Sequence, residues 1–77
     1  MSVVCFGAMR EHLPHGATGN QAVLEVEDAA TVGDVVDGLG APRRLAFSVL
    51  VDGVQASLDS RVVEGAEITL MPPFTGG

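Results

Sequence analysis

A single segment of this 77-residue chain has the apolar spacing of an amphipathic helix. Thr31 precedes the segment as an N-cap, and Asp34 lies three residues later in a position resembling that of a capping box. The apolar positions recur at intervals of three and four and share one face: Val32, Val35, Val36 and Leu39. The other apolar runs are short and bounded by turn residues, so this helix is expected to cover one face of a β-sheet.

The short apolar runs predict strands over residues 2–6, 21–27, 47–51, 54–56 and 68–71. Asp52-Gly53, between the third and fourth strands, is the pair favoured in type I′ hairpin turns because both central residues need positive φ. A turn of helix is also predicted over residues 8–13, before Pro14. One helix on a mixed sheet of four to five strands favours an α+β fold of the β-grasp type.

Length and composition predict one domain, residues 1–77, with a tail over residues 72–77. No apolar run approaches the roughly 20 residues that cross a bilayer, and no basic residues precede the first one, which predicts a cytoplasmic protein without membrane contact. Cys5 is the only cysteine, as expected in a reducing compartment, and is predicted to lie in the core. The formal net charge of −6 argues against nucleic-acid binding and favours partners with basic surfaces.

Side chains that could perform chemistry are scarce outside the tail. His12 and His15 flank Pro14 without a further ligand nearby, so no metal site is expected. No convincing acid–base or nucleophile set is found, and the chain is therefore predicted to be a substrate or carrier and not an enzyme.

The tail Pro72-Pro73-Phe74-Thr75-Gly76-Gly77 follows the last predicted strand directly. The two prolines should end the sheet and start an extended segment, and the terminal glycines can enter a channel as narrow as a main chain. Six extended residues reach roughly 20 Å, at about 3.3–3.6 Å per residue. Phe74 has little core to enter and is expected to anchor a partner, in a patch that Met71 and Phe6 could extend. The alternative interpretation is a frayed chain end.

The sequence resembles the MoaD/ThiS family of ubiquitin-like sulfur carriers over nearly its full length. The ending Pro-Pro-Phe-Thr-Gly-Gly is similar to that of the small subunit of molybdopterin synthase, more than to the thiamine-type carriers. The resemblance rests on residues 6–11, 30–36, 49–53 and 64–77.

This resemblance implies that Gly77 is adenylated by an E1-like adenylyltransferase, which uses ATP and Mg, while the chain itself binds no cofactor. A sulfurtransferase or cysteine desulfurase would then supply the sulfur of a thiocarboxylate. The larger catalytic subunit of a molybdopterin synthase would use that sulfur in molybdenum cofactor biosynthesis. Gly76 and Thr75 would thread into these partners, and the residues expected to bind the partner surface are Phe74, Pro73, Pro72, Met71 and Phe6.

Three alternatives remain open at this stage. The same carrier chemistry could serve thiamine, cysteine, tRNA thiolation or a secondary metabolite. The chain could instead be a protein modifier that is joined through Gly77 to lysines of other proteins. It could also be a non-catalytic β-grasp interaction module whose C-terminus is incidental.

Overall fold

A computed structural model of the chain describes residues 1–14, 16–25 and 29–73. Within these ranges the strands are β1 (Ser2–Cys5), β2 (Gln21–Val23), β3 (Ser48–Val51), β4 (Val54–Ala56) and β5 (Glu67–Met71). The helix α1 spans Val32–Gly38, and two 3₁₀ helices span Gly7–His12 and Arg43–Leu45. Across the same ranges, none of the helices has the length and apolar character that a bilayer crossing requires.

The strands form one mixed sheet in the order β2-β1-β5-β3-β4. The central strands β1 and β5 are parallel, with Val3 opposite Ile68 and Cys5 opposite Leu70. The other three pairs, β1 with β2, β3 with β4 and β3 with β5, are antiparallel. A parallel pair needs a long crossover, and the chain between β1 and β5 includes α1. The predicted α+β, β-grasp architecture is therefore confirmed.

The core lies between α1 and one face of the sheet. Alternate residues of the central strands point into it, and the apolar face of α1 closes it. Cys5 is fully buried there, as predicted, and this burial raises the pKa of its thiol. The most deeply buried side chains of the core are Val3, Cys5, Met9, Val32, Val36, Ile68 and Leu70.

The local signals for helix and turn were accurate. The Thr31 hydroxyl accepts a hydrogen bond from the Asp34 amide at 3.2 Å, and the Asp34 carboxylate accepts one from the Thr31 amide at 2.9 Å. This confirms the predicted capping box. Asp52 and Gly53 have φ angles of 52° and 82°, as the predicted hairpin turn requires. The Asp52 carboxylate also accepts a hydrogen bond from the Glu67 amide at 2.9 Å, which ties the turn to β5.

Three predicted boundaries near the start of the chain differ from the structure. The first strand ends at Cys5 and not at residue 6, because Gly7 adopts a φ of 55° and turns the chain. The predicted helical turn over residues 8–13 is the 3₁₀ helix Gly7–His12. The second strand ends at Val23, and residues 26 and 27 of the predicted strand lie outside the described residues.

Two differences concern the segment between α1 and β3. The third strand begins at Ser48, so Phe47 lies outside it. Pro42 precedes the short 3₁₀ helix Arg43–Leu45, which was not predicted from the sequence. Its extended backbone, with φ −63° and ψ 135°, suits the position before a new helical turn, where a missing amide proton costs nothing.

Candidate functional site at the root of the tail

Three strands bring the start of the tail together with apolar side chains at one edge of the sheet. Because β1 and β5 are parallel, their C-terminal ends lie at the same edge, and the Phe6 amide donates to the Leu70 carbonyl at 3.0 Å. β3 begins at this edge, since Ser48 pairs with Met71 in the antiparallel register. We call the resulting patch the tail-root surface, and it consists of Phe6, Phe47, Met71, Pro72 and Pro73.

The tail-root surface is apolar and accessible. Phe6 is 43% exposed and Phe47 is 74% exposed, while Met71, Pro72 and Pro73 are half-buried. All five side chains are uncharged, although the chain as a whole carries a formal charge of −6. Exposed aromatic residues at one edge of the sheet of an otherwise acidic protein are typical of a contact with another protein.

The sheet face opposite α1 continues this surface. Val4, Thr69 and Leu50 lie side by side on β1, β5 and β3, and each is partly exposed because α1 covers the other face. Met71 is two residues beyond Thr69 on the same face, so it joins this open face to the tail-root surface. A partner that contacts the tail can therefore also contact the sheet.

Gly7 and Pro72 are in close contact at the tail root. A β-carbon built on Gly7 would lie 2.8 Å from Cγ of Pro72 and 3.4 Å from its Cδ. Real side chains essentially never approach this closely, and the positive φ of Gly7 also favours glycine. The turn after β1 therefore packs directly on the first residue of the tail.

The structure brings together those predicted partner-binding residues that it describes, namely Phe6, Met71, Pro72 and Pro73. The remaining predicted site residues, Phe74, Thr75, Gly76 and Gly77, lie outside the described residues, so their roles stay predictions.

Sequence reasoning missed two residues of this region. Phe47 was assigned to the start of a strand, and only the pairing of Ser48 with Met71 places it beside the tail. Gly7 lies within residues 6–11 of the family resemblance, but no contact between it and the tail was predicted. A glycine directly after a central strand, in a chain that ends in a proline pair, is a signal that could have identified it.

The tail-root surface contains no ionisable side chain. Cys5 is buried below it, and the Asp37–Arg43 ion pair belongs to α1 and the following turn. In the described parts of the chain, no group of three or more His, Cys, Asp or Glu residues could hold a metal ion. These residues fix the position at which the tail begins and provide an apolar surface beside it.

The β-grasp sheet and the tail that leaves its central strand define a ubiquitin-like protein. The chain belongs to the Mut7-C ubiquitin family, whose profile matches residues 1–76. No curated protein matches the chain.

Two solved structures of small archaeal modifier protein 1 (SAMP1) from Haloferax volcanii are similar to it. One is 29% identical with a TM-score of 0.68, over 99% of this chain and 97% of that chain. The other is 28% identical with a TM-score of 0.69, over 95% of each chain. These similarities confirm the recognition of a ubiquitin-like protein of the MoaD/ThiS type, and they support either a sulfur carrier or a ubiquitin-like modifier.

Proposed function

We propose that the chain is a sulfur carrier whose last residue, Gly77, is adenylated and then converted to a thiocarboxylate. The observation that carries the proposal is the tail-root surface, where Pro72 packs on Gly7 and the exposed residues Phe6 and Phe47 lie at the same edge of the sheet as the start of the tail. A carrier needs a rigid body that partners can bind and a narrow chain end that they can modify. The chain contributes no catalytic group in this proposal.

The length and composition of the tail suit this chemistry. Phe74 to Gly77, if extended, add about 13 Å beyond Pro73, at roughly 3.3 Å per residue. Gly76 and Gly77 lack a Cβ, so they can pass through a channel that excludes other residues. The terminal carbonyl would then reach an active site while the body stays at the entrance.

The reaction divides into three steps, each performed by a partner. In an E1-like adenylyltransferase, a carboxylate oxygen of Gly77 attacks the α-phosphorus of Mg-bound ATP, and pyrophosphate leaves. A persulfide sulfur from a sulfurtransferase or cysteine desulfurase attacks the acyl carbon, and AMP leaves. A thiol then reduces the acyl disulfide to the thiocarboxylate and is itself oxidised to a disulfide.

Intact-mass spectrometry tests the proposal directly. The chain, with its C-terminus untagged, is incubated with Mg-ATP, a candidate adenylyltransferase and a persulfide donor. We expect a mass gain equal to the replacement of one oxygen by one sulfur, located at Gly77. Variants that lack Gly77, or that carry an extra residue after it, should show no gain. Persistent failure of the native chain across adenylyltransferases encoded in the same genome would contradict the proposal.

The acceptor that we favour is a molybdopterin precursor, with this chain as the small subunit of a molybdopterin synthase. This assignment is supported by the similarity of the Pro-Pro-Phe-Thr-Gly-Gly ending. The thiocarboxylated chain should then bind a large catalytic subunit of that type and lose its sulfur when the precursor is added. Sulfur transfer to a thiamine, cysteine, tRNA or secondary-metabolite pathway instead would leave the carrier chemistry intact and overturn only this assignment.

A second function is favoured by the similarity to small archaeal modifier protein 1. If the chain is a modifier, a lysine amine of another protein attacks the adenylated Gly77. AMP leaves and an isopeptide bond forms. This outcome produces conjugates of higher mass that disappear when Gly77 is deleted. Conjugates without a thiocarboxylated form would favour the modifier over the carrier.

A further inference from the structure

A groove separate from the tail-root surface lies between α1, the end of the first 3₁₀ helix and the segment after β2. Its volume is about 630 Å³. We propose that this groove docks a peptide segment of a partner protein that combines an aliphatic side chain with lysine or arginine. The proposal goes beyond the carrier function and does not depend on it, because it concerns a surface that shares no residue with the tail root.

The floor of the groove is aliphatic. Leu13, Leu24 and Leu39 pack against the core and remain partly exposed, and Val35, which also lines the groove, is almost fully buried. Small residues at the wall, including Ala30 and Gly38, keep the opening wide. The volume lies within the range of about 300–1,000 Å³ that is typical of ligand pockets, so one or two aliphatic side chains fit.

The rim of the groove is acidic. Glu11, Glu25 and Asp34 line it and are exposed, and the half-buried His12 lies among the same lining residues. Asp34 uses its carboxylate to cap α1, which leaves Glu11 and Glu25 as the principal charges available to a ligand. None of the four arginines of the chain lines the groove. A partner segment with positive charges around an aliphatic side chain therefore complements both the acidic rim and the aliphatic floor.

The groove can be occupied at the same time as the tail. Because the groove and the tail-root surface have no residue in common, a basic partner can hold the body while another protein engages the tail. A carrier that passes between enzymes would benefit from a second binding site. Two partners bound to the same small body have a high effective concentration relative to each other.

NMR titration tests the groove with three synthetic peptides. The probe is an amphipathic peptide with leucines on one face and arginines on the other. In one comparator glutamates replace the arginines, and in the other serines replace the leucines. We expect saturable shifts of the methyl signals of Leu13, Leu24 and Leu39 with the probe alone. Shifts centred on Val4 and Leu50 would assign binding to the open sheet face and overturn the proposal, as would unmoved groove methyls.

A pair of double variants separates docking from general charge attraction. Glu11→Gln with Glu25→Gln should weaken binding of the probe about three- to tenfold, the effect of losing two partly solvated ion pairs. Glu64→Gln with Glu67→Gln removes the same charge from exposed positions elsewhere and should leave the affinity nearly unchanged. Equal weakening by the two pairs would mean that only net charge attracts the probe, and the groove would have no role.

Discussion

Pro72 lies so close to Gly7 that a β-carbon on Gly7 would come within 2.8 Å of its Cγ atom. Gly7 also has a φ of 55°, in the left-handed region where a Cβ is strained. Space and backbone angle thus both require glycine at the turn after β1. Since Pro72 is the first residue beyond β5, this contact sets the point at which the tail leaves the body.

Gly7→Ala should therefore destabilise the protein more than a glycine substitution that is strained only by its φ angle. We expect a loss of roughly 3 kcal/mol in the free energy of unfolding, from the left-handed backbone and the overpacking against Pro72 together. Gly19 has a φ of 62°, and a β-carbon added to it would meet nothing within 4 Å, so Gly19→Ala should cost only about 1 kcal/mol. Urea unfolding of both variants measures the difference.

The double variant Gly7→Ala with Pro72→Ala assigns that difference to the contact. Alanine at position 72 has no Cγ, so the double variant should recover part of the stability that Gly7→Ala loses. If Gly7→Ala and Gly19→Ala were equally destabilising, the packing of the turn on Pro72 would contribute nothing.

The capping box of α1 gives a second prediction. Thr31→Ala removes the hydroxyl that accepts from the Asp34 amide, and it should cost about 1 kcal/mol. In a domain of this size that loss lowers Tm by roughly 4–8 °C. Thr18 is exposed and pairs with Gln21 through its backbone, so Thr18→Ala is the matched control and should leave Tm nearly unchanged. Calorimetry of the two variants decides whether the cap contributes as the geometry indicates.

The features that sequence predicted well are those set by neighbouring residues. The cap at Thr31 and the turn at Asp52-Gly53 depend on side chains within three residues of each other, and both were located correctly. The position of Phe47 was not predicted, because it depends on the register of β3 with β5, whose paired residues Ser48 and Met71 are far apart in the chain. Local patterns do not encode such pairings, and the β-grasp assignment supplied only their general order.

The same distinction applies to the candidate site. The chemistry expected of Gly77 came from the sequence and its family resemblance, and the last four residues of the tail lie outside the described part of the chain. The structure added the surface around the tail and the contact of Gly7 with Pro72. The acidic groove was not predicted either, since segments from three parts of the chain form it.

A third prediction concerns pH. Arg43 donates two hydrogen bonds to the Asp37 carboxylate, at 3.0 and 2.9 Å, and these bonds with the accompanying charge attraction lower the pKa of Asp37. The stability that Asp37 contributes is therefore complete above the pKa of an unfolded aspartate, about 3.9, and is lost as the pH falls through the lowered pKa of the folded state.

NMR titration of the side-chain carboxyl carbons measures this pKa. Arg43→Gln should raise the pKa of Asp37 toward the ordinary aspartate value. Arg44→Gln is the matched control, because Arg44 is exposed and its loss changes the net charge equally. An unchanged Asp37 titration in Arg43→Gln would show that the ion pair does not persist in solution.

Cys5 provides a fourth prediction. Its thiol is fully buried, so a reagent cannot reach it in the folded protein. Burial also raises the pKa of the thiol, which lowers the fraction of reactive thiolate. Labelling by iodoacetamide at about pH 8 should be far slower in the native protein than in urea, and its rate should follow the opening of the structure. Rapid labelling of the native protein would instead indicate an accessible, reactive cysteine and contradict the burial of Cys5.

The final prediction tests whether the tail-root surface contacts the activating partner. Phe47→Ser removes the most exposed aromatic ring beside the tail without disturbing the core, since Phe47 is 74% exposed. In pyrophosphate exchange with an adenylyltransferase that accepts the chain, we expect KM to rise about tenfold, as for loss of an interface hot spot, while kcat changes little. Val23 is 78% exposed on the edge strand β2, so Val23→Ser is the matched control and should leave both constants unchanged. Equal effects of the two substitutions, or a fall confined to kcat, would exclude docking through Phe47 and restrict recognition to the tail itself.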